Sequence, residues 1–282
     1  MNDLKISETA FIVNESRARR RDVSKDKYAE KWIIPRLRDY VSELWELFSE
    51  QVYPFDDIEV SVRNRYYLSL LKDFIKKYDN PLILNLGVGL TSYPFLIKDS
   101  AFYLEIDLPQ MINYRKKRMN TLQDKKIIPK RQIESYGLNL NDLNDLDFLE
   151  DLLRKKFRIS KRPSCIIMEG LSYYLKRNSL AQLLSLLKEN QQKNSIISLD
   201  YWKPDILDHP VFNRLQTFFK EQFDFSYKNY TLFDKKFIKE TTNYKFIKET
   251  SIMAEEVKYN KDPVLSKNRS NILPEYNFIL QK

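Results

Sequence analysis

The chain has 282 residues, of which 43% are hydrophobic and 31% charged, a composition typical of a globular protein with one large α/β domain or one domain with a helical addition. No apolar run approaches the roughly 18 residues that a membrane-spanning helix needs, no secretory signal is evident, and the single cysteine, Cys165, excludes an intramolecular disulfide. The net charge of +9 admits nucleic acid, an anionic surface or acidic substrates as partners, but a general Lys bias explains it equally well. We expect a cytoplasmic protein.

Residues 1–25 are interpreted as an irregular or partly helical arm. The arm contains a dense basic run at residues 17–21 (RARRR), which is either a nucleic-acid patch or a solvated face. From residue 26 to 52 apolar residues recur at helical spacing, and Pro35 interrupts them, so we expect two helices or a kink. With a further helix over 62–78, residues 1–80 are predicted to form an N-terminal helical cap.

Short apolar runs then alternate with amphipathic helical segments. Strands are predicted at 81–86, 101–106, 134–140, 164–168 and 195–199, and helices at 109–122, 142–156 and 178–192. This alternation predicts an α/β fold with a doubly wound, mostly parallel sheet. Beyond residue 200 we expect helices at 211–223 and 232–240 within a helical insertion of about 203–240, followed by a C-terminal antiparallel strand pair at 244–249 and 276–280. Residues 81–282 would form the core of one compact domain.

Glycine is scarce, and its positions are therefore informative. The chain has four glycines, whereas about 20 would be expected at ordinary usage. Gly87 and Gly89 directly follow the first predicted strand, where the backbone of a doubly wound sheet can approach a ligand closely. The alternative is a plain tight turn, since an isolated G-x-G is weak evidence.

Asp107 ends the second predicted strand, where a carboxylate can accept hydrogen bonds from both hydroxyls of a ribose. Both NAD enzymes and S-adenosylmethionine enzymes use this arrangement. A dinucleotide fingerprint has a third glycine near position 92, but this chain has Ser92 followed by Tyr93 and Pro94. The pattern therefore favours S-adenosylmethionine over NAD.

Several motifs in fixed order resemble the leucine carboxyl methyltransferase family, including its bacterial polyketide and peptide carboxyl O-methyltransferases. The matching segments are residues 9–10 (TA), 16–18 (SRA), Arg63, 85–90 (NLGVGL), 105–109 (EIDLP), 139–142 (NLND) and 168–175 (MEGLSYYL). The resemblance implies a class I, Rossmann-like methyltransferase that uses S-adenosylmethionine. The cofactor-binding residues that it implies are Arg63, Gly87, Gly89, Asp107, Asn139, Leu140 and Glu169.

Within that set, the resemblance implies that Arg63 holds the cofactor carboxylate, for which a planar guanidinium is suited, and that Glu169 lies near the cofactor amino group. Asn139 and Leu140 occupy the adenine-binding position. The family usually has Asp before that Leu, but an Asn side-chain oxygen can still accept a hydrogen bond from the adenine amino group.

The resemblance also suggests a carboxylate of a small molecule or peptide as methyl acceptor. A carboxylate is already ionised at neutral pH, so no general base is expected, and catalysis would rest on positioning. Aromatic residues that could line the acceptor pocket, or simply pack in the core, are Tyr173, Tyr174, Tyr201 and Trp202. The only histidine, His209, is expected in a loop, and no Cys/His cluster has metal-ligand spacing, so no metal is expected.

Three other functions stay open at this point. An RNA-modifying methyltransferase would use the basic charge, provided that this charge forms a basic face. An NAD(P)-dependent oxidoreductase is disfavoured by the missing third glycine. A non-catalytic member of the fold is disfavoured by the presence of Arg63, Gly87, Asp107 and Glu169.

Overall fold

A computed structural model describes residues 2–158, 162–223 and 230–282. Its helices are α1 Asn2–Arg19, α2 Arg21–Ser24, α3 Ala29–Trp32, α4 Arg38–Gln51, α5 Asp56–Lys77, α6 Tyr93–Leu96, α7 Pro109–Asp124, α8 Leu143–Leu153, α9 Arg177–Asn190, α10 Pro210–Phe223, α11 Lys235–Thr241 and α12 Ile252–Tyr259. Its strands are β1 Leu82–Leu86, β2 Phe102–Asp107, β3 Ile133–Gly137, β4 Ser164–Met168, β5 Ile196–Tyr201, β6 Lys245–Ser251 and β7 Tyr276–Gln281. The predicted insertion includes residues 224–229, which lie outside the described residues.

The strands form one sheet in the order β3-β2-β1-β4-β5-β7-β6. Strands β1 to β5 pair in parallel, and β7 pairs antiparallel with both β5 and β6. The predicted doubly wound sheet and its C-terminal antiparallel pair are thereby confirmed. Since β1 lies between β2 and β4, the order of the strands reverses at β1, and a crevice forms at the carboxyl ends of these strands.

Helices cover both faces of the sheet, which explains why β1 and β4 are buried along their whole length. Side chains alternate between the faces of a strand. Ile83 and Cys165, which are register partners, pack under α5 with Tyr67. The next pair, Leu84 and Ile166, packs on the opposite face among the leucines of α8 and α9.

The N-terminal region is more helical than the sequence predicted. The arm forms the long helix α1, and the helix expected over 62–78 begins at Asp56. Helix α5 packs against the sheet, so it is continuous with the core rather than apart from it. Pro35 separates α3 from α4, as predicted. No helix in the described ranges is both long and apolar enough to cross a bilayer.

Candidate functional site

A cavity of about 390 Å³ opens at the carboxyl ends of the central strands and is bordered by α1. It lies at the point where the strand order reverses, the position at which open α/β sheets bind ligands. The residues predicted to bind the cofactor all line it: Arg63, Gly87, Gly89, Asp107, Asn139, Leu140 and Glu169. Tyr173 and Tyr174 also line the cavity.

The turn after β1 is tied to the end of β2 by backbone hydrogen bonds. The Gly87 N–H donates to the carbonyl of Ile106 at 2.8 Å, and the Gly89 N–H donates to Asp107 Oδ2 at 2.7 Å. The other oxygen, Asp107 Oδ1, accepts from the Leu108 N–H at 2.7 Å. Burial raises the pKa of Asp107 to about 6, although the two backbone donors act in the opposite direction. Each carboxylate oxygen retains a lone pair for a ligand hydroxyl.

Gly89 has a φ of +48°, a conformation that residues with a side chain rarely adopt. A Cβ built at this position would meet no atom within 4 Å. The space in front of Gly89 is therefore part of the cavity, and the missing side chain keeps it open for a ligand.

Arg63 lines the same cavity and lies within a group of buried acids. Its Nη1 donates to Glu275 Oε2 at 2.9 Å, and its Nε lies 3.6 Å from Glu169 Oε1 and 3.7 Å from Asp200 Oδ2. Burial and the neighbouring Glu275 raise the pKa of Asp200 well above its usual range, and burial also raises the pKa of Glu275. One guanidinium thus faces three carboxyl groups, and burial favours the protonated, neutral form of two of them, Asp200 and Glu275.

Glu169 is held in place by Tyr93, whose hydroxyl donates to its Oε2. Its other oxygen, Oε1, is buried and has no hydrogen-bond partner among the described residues. Arg63 Nε lies 3.6 Å away, beyond hydrogen-bond distance, so this oxygen can still accept from a ligand donor. Neither Asp200 nor Glu275 was predicted from the sequence; Asp200 stands at the end of a strand, as Asp107 does, and that signal could have identified it.

The side of the cavity next to β3 is apolar. Leu138 and Leu140 are buried there and line the cavity with Leu108 and Met111. Asn139 also lines the cavity, but its side chain is exposed and its Oδ1 accepts from the Asn141 N–H at 3.1 Å. The Asn139 oxygen can still accept a second hydrogen bond.

The basic run in α1 and α2 is compensated by acids. Arg17 is only 2% exposed, lines the cavity and donates to the Leu90 carbonyl at 2.9 Å. Each arginine of the run has an acidic group within 4 Å: Arg17 with Asp26, Arg19 with Glu15 and Glu46, Arg20 with Asp22, and Arg21 with Glu30. The arginines of the run are therefore engaged in ion pairs, although Glu30 also lies within 4 Å of Lys31 and Arg38.

The structure does not bring Tyr201 to the cavity. Tyr201 lies on β5 in register with Tyr276, stacks on Phe278 with centroids 4.1 Å apart, and donates to Glu249. On this strand the Tyr201 side chain points into the core, where it packs beneath α9 and α11. The next residue, Trp202, leaves the strand and stacks on Tyr173 with centroids 3.9 Å apart and planes inclined by 2°.

Strand order and site together define a class I methyltransferase fold with a cavity at its switch point. A family model, "Leucine carboxyl methyltransferase", matches residues 8–188, more than half of the chain. The chain therefore belongs to the leucine carboxyl methyltransferase family, a family of S-adenosylmethionine-dependent methyltransferases. No curated protein sequence matches the chain.

Solved structures share the fold at low sequence identity. A candidate methyltransferase of Thermobifida fusca superposes with a TM-score of 0.61 at 12% identity, over 86% of this chain and 88% of that one. A DUF574 family protein of Streptomyces avermitilis superposes with a TM-score of 0.60 at 11% identity, over 86% and 90% of the two chains. At these identities the similarity extends to the fold alone.

Proposed function

We propose that this protein transfers the methyl group of S-adenosylmethionine to a carboxylate oxygen of a small molecule or peptide. The observation that carries the proposal is the convergence of Gly89, Asp107, Glu169 and Arg63, which come from three strand ends and helix α5, on one cavity. Membership of the leucine carboxyl methyltransferase family supports both the reaction and the type of acceptor.

The residues that line the cavity suit the ribose, the adenine and the methionine moiety of this cofactor. Asp107 can accept the ribose hydroxyls, and the leucines next to β3 offer an apolar surface to the adenine. Glu169 Oε1, which has no hydrogen-bond partner among the described residues, can accept from the ammonium group of the methionine moiety. Arg63 is the cation within the same cluster that can receive its carboxylate.

S-adenosylmethionine supplies a methyl group on a sulfonium, which a nucleophile displaces in line. An acceptor carboxylate, with an ordinary pKa near 4, is ionised at pH 7 and needs no general base. The work of the protein is then to hold the acceptor oxygen about 3 Å from the methyl carbon and to exclude water. Val13 on α1, Tyr173 and Phe223 border the cavity with apolar surface suited to that task.

Two features weigh against the other functions. The helix that follows the glycine turn, α6, has only four residues, whereas a pyrophosphate is bound at the N-terminus of a full helix, so NAD is disfavoured. The arginines of residues 17–21 are paired with acids, so the basic charge gives no specific support to an RNA substrate.

Calorimetric titration tests the cofactor. S-adenosylmethionine and S-adenosylhomocysteine should bind the wild type, and NADH should not. Asp107→Ala should lower the affinity for S-adenosylmethionine and for S-adenosylhomocysteine by about 10- to 100-fold, because two hydrogen bonds to a charged group are lost. The exposed Asp147 provides the matched control, Asp147→Ala. Binding of NADH, or unchanged affinity in Asp107→Ala, would refute the cofactor assignment. Incubation with labelled cofactor and candidate carboxylates should then yield base-labile methyl esters.

A further inference from the structure

A second, smaller chamber of about 60 Å³ adjoins the large cavity. The two spaces share Thr9, Val13, Arg63, Tyr173 and Tyr174 in their walls, so these residues lie at the junction of the two cavities. If the large cavity holds the cofactor, as proposed above, this chamber is where part of the acceptor can enter. The inference that follows rests on that proposed function.

Much of the chamber wall is aromatic. Phe48, Tyr53, Trp202 and Phe219 line it, and Phe48 contacts both Tyr53 and Phe219, with ring centroids 6.0 and 6.3 Å apart. Rings of this kind exclude water and lower the local dielectric, which strengthens any charge interaction inside. They also offer π faces to a cation.

Three acids line the same small space: Asp56, Glu59 and Glu275. Asp56 accepts hydrogen bonds from the hydroxyls of Ser16 and Tyr53, and Glu59 accepts from the Leu273 N–H at 3.2 Å. These partners are neutral. Burial, reinforced by Glu275 and Asp56, raises the pKa of Glu59 well above its usual range.

Three buried polar atoms of the chamber wall have no hydrogen-bond partner in the described part of the chain. They are two donors, Arg63 Nε and Trp202 Nε1, and one acceptor, Glu275 Oε1. Buried polar groups of this kind are normally satisfied. Glu275 Oε1 can therefore accept a hydrogen bond from a further donor that enters the chamber.

Arg63 is the one cation among the described lining residues of the chamber, and it is already shared with Glu169 and Asp200 of the large cavity. A ligand that brings a positive charge would therefore gain both hydrogen bonds and charge compensation. A ligand with a neutral or anionic group at this end would gain no charge interaction with these acids.

We infer that the chamber takes an ammonium group of the methyl acceptor, so that the acceptor is an amino-carboxylate compound. Its ammonium group is bound by Glu59 and Glu275 between the aromatic walls. Its carboxylate lies at the junction of the two cavities, beside Tyr173 and Tyr174, where it faces the cofactor site. Glu59 and Glu275 thus select the acceptor by its ammonium group. The oxygen that receives the methyl group belongs to the carboxylate of the same molecule.

The test uses saturation-transfer NMR on the protein loaded with S-adenosylhomocysteine. The probes are β-alanine, γ-aminobutyrate, δ-aminovalerate and ε-aminocaproate, each beside the analogue with a hydroxyl in place of the amine. At least one amine should bind about 10-fold more tightly than its hydroxyl analogue. Glu59→Gln, which retains an acceptor for the Leu273 N–H, should abolish that preference and still bind S-adenosylhomocysteine. The exposed Glu240 supplies the matched control, Glu240→Gln, in which the preference should persist.

Equal binding of amines and hydroxyl analogues, or a preference that survives in both Glu59→Gln and Glu275→Gln, would overturn the inference. Failure to bind S-adenosylhomocysteine would instead count against the proposed function. The same probe pairs measured on the protein without S-adenosylhomocysteine would then decide the amine preference separately.

Discussion

Asp107 Oδ2 accepts a hydrogen bond of 2.7 Å from the backbone N–H of Gly89, 18 residues earlier in the chain. With the second bond, from the Leu108 N–H, both oxygens of this carboxylate are oriented by main-chain donors and not by mobile side chains. The ends of β1 and β2 therefore position the Asp107 carboxylate before any ligand arrives. Preorganisation of this kind lowers the entropic cost of binding.

Cofactor binding should depend on pH through Asp107. Its pKa is raised to about 6, so the carboxylate gains a proton as the pH falls through 6 and one acceptor becomes a donor. Affinity for S-adenosylhomocysteine should decline by up to ~10-fold for each pH unit below 6 if the ionised form binds. Calorimetry between pH 5 and 8 would measure this, with Asp107→Asn as the comparison. An identical pH profile in Asp107→Asn would show that another group is responsible.

Two glycines should respond to the same substitution in different ways. Gly89→Ala places a methyl group into the cavity, with φ at +48°, and should weaken cofactor binding at a stability cost of about 1 kcal/mol. In Gly137→Ala the new Cβ would lie 2.6 Å from Pro109 Cα, a backbone clash that should cost about 1–3 kcal/mol of unfolding free energy.

Chemical denaturation and cofactor titration of the two variants separate the effects. Gly137→Ala should lose stability and, once folded, bind the cofactor almost as well as the wild type. If Gly89→Ala binds the cofactor as tightly as the wild type, the open space at Gly89 is not used by the ligand.

The sheet could be predicted because its signals are local. Strand β4 is a run of five buried residues, and the acid at the end of β2 and the glycines after β1 are recognisable by position. The positions of Glu59 and Glu275 in the site depend instead on tertiary packing, since 216 residues separate them and only the fold brings both to one chamber. No periodicity links them.

Helix α1 shows why amphipathic patterns are an incomplete guide. It is in contact with several neighbouring helices and with the cavity, so buried residues fall on more than one side, and even Arg17 is enclosed. A helix buried on several sides loses the single apolar stripe from which helices are predicted. Tyr201 shows a different limit of sequence analysis. Composition alone cannot tell which of the adjacent aromatic residues Tyr201 and Trp202 has its side chain in the core.

Asp56 should make the protein less stable as the pH rises. Burial raises its pKa from 3.8 to about 6, so between these values the folded state binds a proton that the unfolded state has lost, and the unfolding free energy falls with rising pH. A shift of about two pKa units corresponds to roughly 3 kcal/mol. As the pH falls from 7 to 4, the unfolding free energy of the wild type should therefore rise relative to that of Asp56→Asn. A difference that stays constant over this range would exclude the raised pKa.

Arg63 should be important for stability as well as for binding. Arg63→Met removes the cation from Glu169, Asp200 and Glu275, and breaking a buried ionic cluster typically costs about 3–5 kcal/mol. Since burial raises the pKa of Asp200 and of Glu275, these two acids can take up protons in the folded state, and the loss should be largest near pH 7.5 and smaller near pH 5.

Denaturation at both pH values checks this, and adding Glu275→Gln to Arg63→Met should recover part of the loss by removing one orphaned charge. Arg214 is a suitable control, because its partners among the described residues are the Val52 carbonyl and the Asn271 side chain, neither of which is an acid. The cost of Arg214→Met should therefore be the same at both pH values. If the cost of Arg63→Met were equally independent of pH, the guanidinium would stabilise the fold by packing and hydrogen bonding rather than by compensating the charge of the buried carboxylates.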